Sequence, residues 1–288
     1  MAKQWGRDMG RLAARFLGKR LCLWLAVAGV AVAGMAVLPG AAFAKPMTLT
    51  YIGYLAGFPV IDLTATVDVP VAAGAAGTTA GSGAYQVNAV MATSGNFAAL
   101  YPYRQEMKAQ GGMTKAKPVP KQFQSDATIW QRRETIALAY GTGGQVTITA
   151  NPMTQQARQA VREGYANGTM DPASAVVALV AAFSQRQDCG GAYAVFDGVR
   201  RYDIMVEKTG GATVNRMQRS IYQGPATECS AVPKLVGGFQ QAAVQSQLYP
   251  QKARLWLAPA LKGFPAVPVR MSATNAFGEM VLDLVAVQ

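Results

Sequence analysis

Four charged side chains lie within seven residues, one in a dipeptide that is typical of tight turns and three after it. Asp197 precedes Gly198, and Arg200, Arg201 and Asp203 follow it. Asp-Gly beside an apolar run is a strong signal for a β-hairpin. The four side chains either converge as a polar site on that hairpin or form ion pairs between its strands. The second arrangement is the more frequent one for charges beside a turn.

A second candidate is Asp171-Pro172, with Ser174 two residues further on. A carboxylate at this position could belong to a site. It also fits the start of a helix, because Asp is a preferred N-cap and Pro suits the first helical turn. The cap is the favoured interpretation of Asp171, and the sequence leaves the role of Ser174 open.

The composition excludes several kinds of catalytic site. The chain has no histidine, which rules out Ser-His-Asp triads and histidine metal sites. It lacks the nucleophile motifs G-x-S-x-G and S-x-x-K and the acidic run D-x-D-x-D of calcium loops. We therefore predict no catalytic residue, no metal ligand and no cofactor. Two facing carboxylates, as used in glycoside hydrolysis, stay open as an alternative.

The N-terminal segment predicts export. Six basic residues and one acid precede an apolar run from Leu21 to Leu38, and the small-residue triplet Ala42-Phe43-Ala44 follows. This order is typical of a signal peptide, here residues 1–44, cut after Ala44 to leave a single domain over residues 45–288. A retained membrane anchor is the alternative, since 18 apolar residues are at the lower limit of a span. The predicted location is the periplasm.

Removal of the signal peptide leaves 21 basic and 14 acidic residues, a net charge of +7. This charge is ordinary for solubility and would also favour weak contact with anionic lipid. Nucleic acid is not an expected partner, because no basic and aromatic motif accompanies the charge. The sequence does not indicate an oligomeric state.

Two of the three cysteines, Cys189 and Cys229, belong to the exported part. An even number of cysteines in an oxidising compartment favours a disulfide. Two buried free thiols are the alternative. Their spacing does not fit a C-x-x-C redox motif.

The exported part contains about a dozen short strands and one clear helix. From Ile61 to Val69, apolar residues alternate with Asp and Thr, which predicts a strand with one buried and one wet face. From Ala173 to Phe183 only Ser174 is polar, which predicts a buried helix. Glycines 210 and 211 indicate a turn, and Lys117–Pro120 indicates a linker. The pattern predicts a mainly β protein, with a large curved antiparallel sheet or incomplete β-barrel around one apolar helix.

The second half of the chain resembles the bacterial exported proteins grouped as domain of unknown function 3108. The residues that carry the resemblance are MDPASA from Met170, AVFDGVRRYD from Ala194, TEC from Thr227, LWL from Leu255 and FG at Phe277. The resemblance is best over residues 170–288. It implies an envelope-associated antiparallel β fold and no assigned activity. The family fold is similar to that of half-barrel lipid and lipoprotein carriers, a likeness of fold rather than of site.

Three function classes follow. The first is a non-enzymatic binder whose curved sheet holds a lipid or another apolar or amphipathic envelope component. The second is a structural or assembly scaffold of the envelope. An enzyme is the least favoured class. Whether the helix fills the concave face of the sheet decides between the first two, and the sequence does not show this.

Overall fold

The computed structural model describes residues 46–74, 77–80, 82–114, 117–217, 219–260 and 265–288, with the backbone alone for 71–74 and 77–80. The predicted signal peptide lies outside these residues. None of the described helices is long and apolar enough to span a membrane. The strands are β1 Met47–Leu55, β2 Phe58–Asp68, β3 Val71–Gly74, β4 Gly77–Ala80, β5 Gly83–Thr93, β6 Tyr103–Thr114, β7 Lys117–Ile129, β8 Arg132–Tyr140, β9 Val146–Asn151, β10 Gly191–Phe196, β11 Arg201–Val214, β12 Gly224–Gly237, β13 Lys252–Ala258, β14 Val267–Asn275 and β15 Gly278–Val287. The helices are α1 Gly95–Leu100, α2 Gln155–Arg162, α3 Pro172–Arg186 and α4 Gln241–Gln245.

Thirteen strands form one antiparallel sheet, in the order β10-β11-β12-β13-β14-β15-β1-β2-β5-β6-β7-β8-β9. Strands β3 and β4 form a separate hairpin. Neighbours in the sheet are mostly consecutive in the chain, which suits hairpin connections. There are two exceptions: β2 pairs with β5 past the hairpin β3-β4, and at the centre the N-terminal strand β1 pairs with the C-terminal strand β15. The prediction of a mainly β protein with one large antiparallel sheet is confirmed.

The two end strands of the sheet, β9 and β10, are joined through the segment between them rather than through direct pairing. The Met170 N–H donates to Ala194 O of β10 at 2.9 Å, and the Gly168 N–H donates to Gly144 O, just before β9, at 3.0 Å. The turn at Gly198 packs against Ile136 of β8, so closely that a Cβ at Gly198 would overlap that side chain. The sheet therefore curls around until its ends meet, without becoming a closed barrel.

Helix α3 lies against the concave face of this sheet. Val177 and Ala181 pack among Tyr85 and Phe123 on one side. Leu179 and Phe183 pack against the opposite half of the sheet. The predicted apolar helix is thus present and largely buried. It is not buried all round, because Val176 is 49% exposed.

Two segments differ from their sequence interpretation. The proposed linker Lys117–Pro120 is the start of β7. Its prolines are tolerated because β8 pairs with β7 only from Gln122 onward, so the missing N–H groups cost no bond on that side. The proposed turn at Gly210-Gly211 is part of β11, which continues to Val214 and stays paired with β12 across a bulge between Lys208 and Gly210. The glycines relax the backbone there without ending the strand.

Candidate functional site

A cavity of about 250 Å³ lies between α3 and the concave face of the sheet. Its walls come from β1, β2, β5, β6 and β14, and from one side of the helix. Every lining side chain that the structure describes is a hydrocarbon or a thioether except that of Tyr51. The lining residues are Met47, Leu49, Tyr51, Leu63, Ala65, Val67, Val69, Val87, Ala89, Met107, Pro172, Ala173, Val176, Val177, Val180, Ala181, Pro265, Val267, Pro268 and Met271.

The alternation in β2 accounts for one wall of this cavity. The inward residues Leu63, Ala65 and Val67 line it, and the outward Thr64 is exposed. The inward residues are only half-buried, because they face empty space rather than packed side chains. Ala65 stands directly opposite Ala89 on β5. Two methyl side chains at one register position leave room that larger residues would occupy.

Among the described residues, the one polar group in the cavity wall has its hydrogen-bond partner within the protein. The Tyr51 hydroxyl donates a hydrogen bond to the carbonyl oxygen of Pro268 at 2.9 Å. Burial raises the pKa of Tyr51 well above its ordinary value, so the phenol stays neutral. From the described residues of the wall, a ligand in this cavity would therefore meet hydrocarbon and no free charge.

A buried hydrogen-bond chain holds the start of α3. Asp171 is fully buried. One of its carboxylate oxygens accepts the Ser174 N–H at 2.9 Å and the other accepts the Ser174 hydroxyl at 2.5 Å. The Ser174 hydroxyl also shares a hydrogen bond with the Tyr85 hydroxyl on β5, at 2.6 Å. Burial raises the pKa of Asp171, and burial raises the pKa of Tyr85 to about 12.

The hydrogen bonds that link Asp171, Ser174 and Tyr85 stabilise the start of α3 and do not contribute to a ligand site. None of the three side chains lines the apolar cavity. Asp171 acts as the N-cap of α3, as the sequence favours. The contact with Tyr85 had no signal in the sequence, since the two residues it joins are 89 positions apart.

The charged residues of the hairpin form two separate pairs. Oδ2 of Asp197 accepts the Nε–H of Arg200 at 2.8 Å. Arg201 lies 3.4 Å from Asp203 and donates to the carbonyl oxygen of Tyr165 at 3.3 Å. The four side chains therefore do not converge on one point. Each pair lies within one turn or strand, not across the hairpin.

The structure joins Cys189 and Cys229 by a disulfide, with an S–S distance of 2.03 Å and a Cα–Cα distance of 6.4 Å. Both cysteines are fully buried and pack against Leu179 and Phe183 of α3. The bond ties the loop after the helix to β12. Disulfides are characteristic of proteins outside the reducing cytoplasm.

No set of three cysteine or carboxylate side chains among the described residues is close enough to hold a metal ion. The arrangement can therefore bind apolar groups, and the described residues offer no cluster for metal chemistry. The residues that sequence reasoning missed are the cavity walls contributed by β1, β5 and β14. Alternating apolar residues mark them as inward but do not show that the space in front of them is empty.

Several solved structures are similar to this chain at low sequence identity. A crystal structure of a beta-barrel-like protein of domain of unknown function DUF1849 from Brucella abortus is 10% identical, with a TM-score of 0.44, over 84% of this chain and 97% of that one. A protein from Bacteroides fragilis described as exported, with a YmcC-like fold, is 10% identical, with a TM-score of 0.33, over 85% and 97%. A protein from Parabacteroides distasonis described as a lipoprotein is 9% identical, with a TM-score of 0.33, over 85% and 96%.

No curated protein matches this chain. The motifs that pointed to a family lie mainly between residues 170 and 288. A model of that same family, described as "Protein of unknown function (DUF3108)", matches residues 50–285, which includes the middle strands. The chain therefore belongs to this family of proteins of unknown function.

Proposed function

We propose that this protein is a non-enzymatic carrier in the periplasm, which holds the apolar end of an envelope amphiphile in the cavity beside α3. The observation that carries the proposal is the chemistry of the cavity wall. All of its side chains are apolar except Tyr51, whose hydroxyl is already bonded within the protein. The disulfide and the signal-peptide pattern support a periplasmic location.

The size of the cavity limits what it can hold. Its volume of about 250 Å³ exceeds the ~150 Å³ of an engineered apolar cavity that stays dry and binds benzene. It lies just below the roughly 300–1,000 Å³ of pockets that enclose a whole small ligand. The cavity therefore suits the terminal part of one acyl chain. Each buried methylene group would contribute about 0.8 kcal/mol to binding.

The exposure of Val176 supports a route into the cavity on the helix side. Val176 lines the cavity and is 49% exposed, although its neighbour Val177 is buried. An exposed valine on the rim of an apolar space marks the place where a chain can enter without unfolding the sheet. The head group of the amphiphile would then remain in solvent.

The test is binding of cis-parinaric acid, a fatty acid that fluoresces when it enters an apolar site. Ala65→Trp fills the cavity from its β2 wall without adding charge. Thr64→Trp is the matched control, because the neighbouring side chain points to the opposite face. We expect the wild-type protein and Thr64→Trp to bind alike, and Ala65→Trp to bind at least tenfold more weakly. Equal binding by all three proteins would contradict the proposal.

A structural scaffold is the second candidate. It is supported by the packing of α3, whose residues Val177, Leu179, Ala181 and Phe183 fill much of the concave face. No binding of the probe by the folded wild-type protein would favour this function over the carrier.

A further inference from the structure

A second cavity, of about 300 Å³, lies beside the turn at Asp197 and shares no lining residue with the first. Its floor is formed by β11, β12 and β13. Ala231 and Ala253 stand opposite each other in that floor, and their small side chains leave the space open. The wall is completed by the chain between β12 and β13, which contributes Phe239 and Tyr249.

Two charged side chains line this cavity, Asp197 and Arg200, and Arg200 is the only cationic one among the described residues of the wall. Oδ1 of Asp197 accepts the backbone N–H groups of Val199 and Arg200, at 3.0 and 2.7 Å. Oδ2 accepts the Nε–H of Arg200 at 2.8 Å. Asp197 therefore has both oxygens engaged and orients the guanidinium.

The outer edge of that guanidinium remains available. Its hydrogen bond to a described side chain runs from Nε, and neither Nη1 nor Nη2 forms a hydrogen bond with a described residue. The side chain is 43% exposed, and its Cζ lies 5.7 Å from the centre of the Tyr249 ring. A guanidinium edge with two parallel N–H groups matches the two oxygens of a carboxylate.

Three aromatic rings contribute to the lining beside aliphatic side chains. Phe239 packs edge-on against Tyr249, with ring centres 4.9 Å apart, and against Tyr202 at 6.4 Å. Further rings add to such clusters through stacked or edge-to-face contacts. A pocket that is mostly apolar, with a few oriented polar groups such as Arg200 and Asp197, has the usual composition of a small-molecule site.

We infer that this second cavity binds a planar aromatic carboxylate, with the ring system against Phe239 and the carboxylate on the free edge of Arg200. The volume is about twice the ~150 Å³ that admits one benzene ring, so the cavity suits a two-ring compound. This site is separate from the acyl cavity and does not depend on the carrier function.

The test uses two probes that differ only in charge, 2-naphthoate and the neutral 2-naphthamide, titrated calorimetrically into the purified protein. We expect the amide to bind at least tenfold more weakly than the carboxylate. Arg200→Gln should remove that preference, lowering naphthoate binding at least tenfold without changing amide binding. Arg132→Gln, at the start of β8 where the side chain is 82% exposed, controls for the loss of one positive charge. It should leave the binding of both probes unchanged.

Two further measurements decide the case if Arg200→Gln disturbs the turn. Ala253→Phe fills the cavity floor and leaves the charges in place, so it should abolish binding of both probes. Naphthoate should also fail to displace cis-parinaric acid, because the two cavities share no wall. Equal binding of acid and amide to the wild-type protein, unchanged binding to Ala253→Phe, or displacement of parinaric acid would each overturn the inference.

Discussion

Replacing Asp171 with alanine tests whether the buried chain at the start of α3 holds the helix in the sheet. The substitution removes the acceptor of the Ser174 N–H and of the Ser174 hydroxyl. Ser174 and Tyr85 then keep only their contact with each other. All of this happens at a position with no exposure to solvent, so water cannot replace the lost acceptor.

The magnitude follows from two contributions. Losing the N-cap costs about 0.5–2 kcal/mol. Leaving a buried donor without an acceptor costs about 1–3 kcal/mol. We therefore expect Asp171→Ala to lower the free energy of unfolding by about 1.5–5 kcal/mol. Asp171→Asn keeps an oxygen for the Ser174 N–H and should cost about 1 kcal/mol.

Urea denaturation of the wild-type protein and both variants measures these values, and the pH dependence gives an independent check. Burial raises the pKa of Asp171 above its ordinary value of 3.8, so the folded protein holds this proton more tightly than the unfolded chain. The stability of the wild-type protein relative to Asp171→Asn should therefore fall as the pH rises above 3.8, until the raised pKa is passed. A loss below about 0.5 kcal/mol for Asp171→Ala, or relative stability that rises with pH, would refute the reasoning.

Three further outcomes can be measured by thermal unfolding. Replacing Cys189 and Cys229 with serine opens a loop of 40 residues and should cost about 4 kcal/mol; unchanged melting in reductant would contradict this. Gly198→Ala should lower the free energy of unfolding by about 1–3 kcal/mol, because the φ of +104° at Gly198 and the adjacent Ile136 side chain both exclude a Cβ. Unchanged stability would mean that the turn shifts to accommodate the added methyl group. Phe183→Asp should abolish folding, because the Phe183 side chain is only 3% exposed, whereas Val176→Asp, at a side chain that is 49% exposed, should leave a folded protein. Equal loss of stability in the two variants would contradict the difference in burial on which this prediction depends.

The sequence predicted those features that depend on neighbours in the chain. The alternation around Leu63 marked the inward face of β2, and Asp171 with the proline after it marked the start of α3. The pairing of β1 with β15 joins residues more than 220 positions apart, such as Tyr51 and Leu284, and no local pattern encodes it. The same limit hid the bulge at Gly210, because a pair of glycines relaxes the backbone equally in a turn and in a strand.

The candidate site could be predicted only in part for a related reason. Apolar residues at alternate positions show which side faces inward, but cavity volume depends on which small residues meet across two strands. Ala65 opposite Ala89 and Ala231 opposite Ala253 create the two cavities. These register positions become known only when the strands are paired.

The join between β9 and β10 has a consequence for how proteins of this architecture can change in length. In a closed barrel, the number of strands, their tilt and their stagger are tied together, so adding a hairpin alters the whole ring. Here the ends of the sheet meet through the short segment from Gly168 to Met170, which forms one backbone hydrogen bond with Gly144 and two with β10, to Ala194 and from Phe196. A hairpin gained or lost at this join would leave every other strand pair in register. We therefore expect relatives to differ in strand number there, while the β15-β1-β2 centre and the helix against it stay constant.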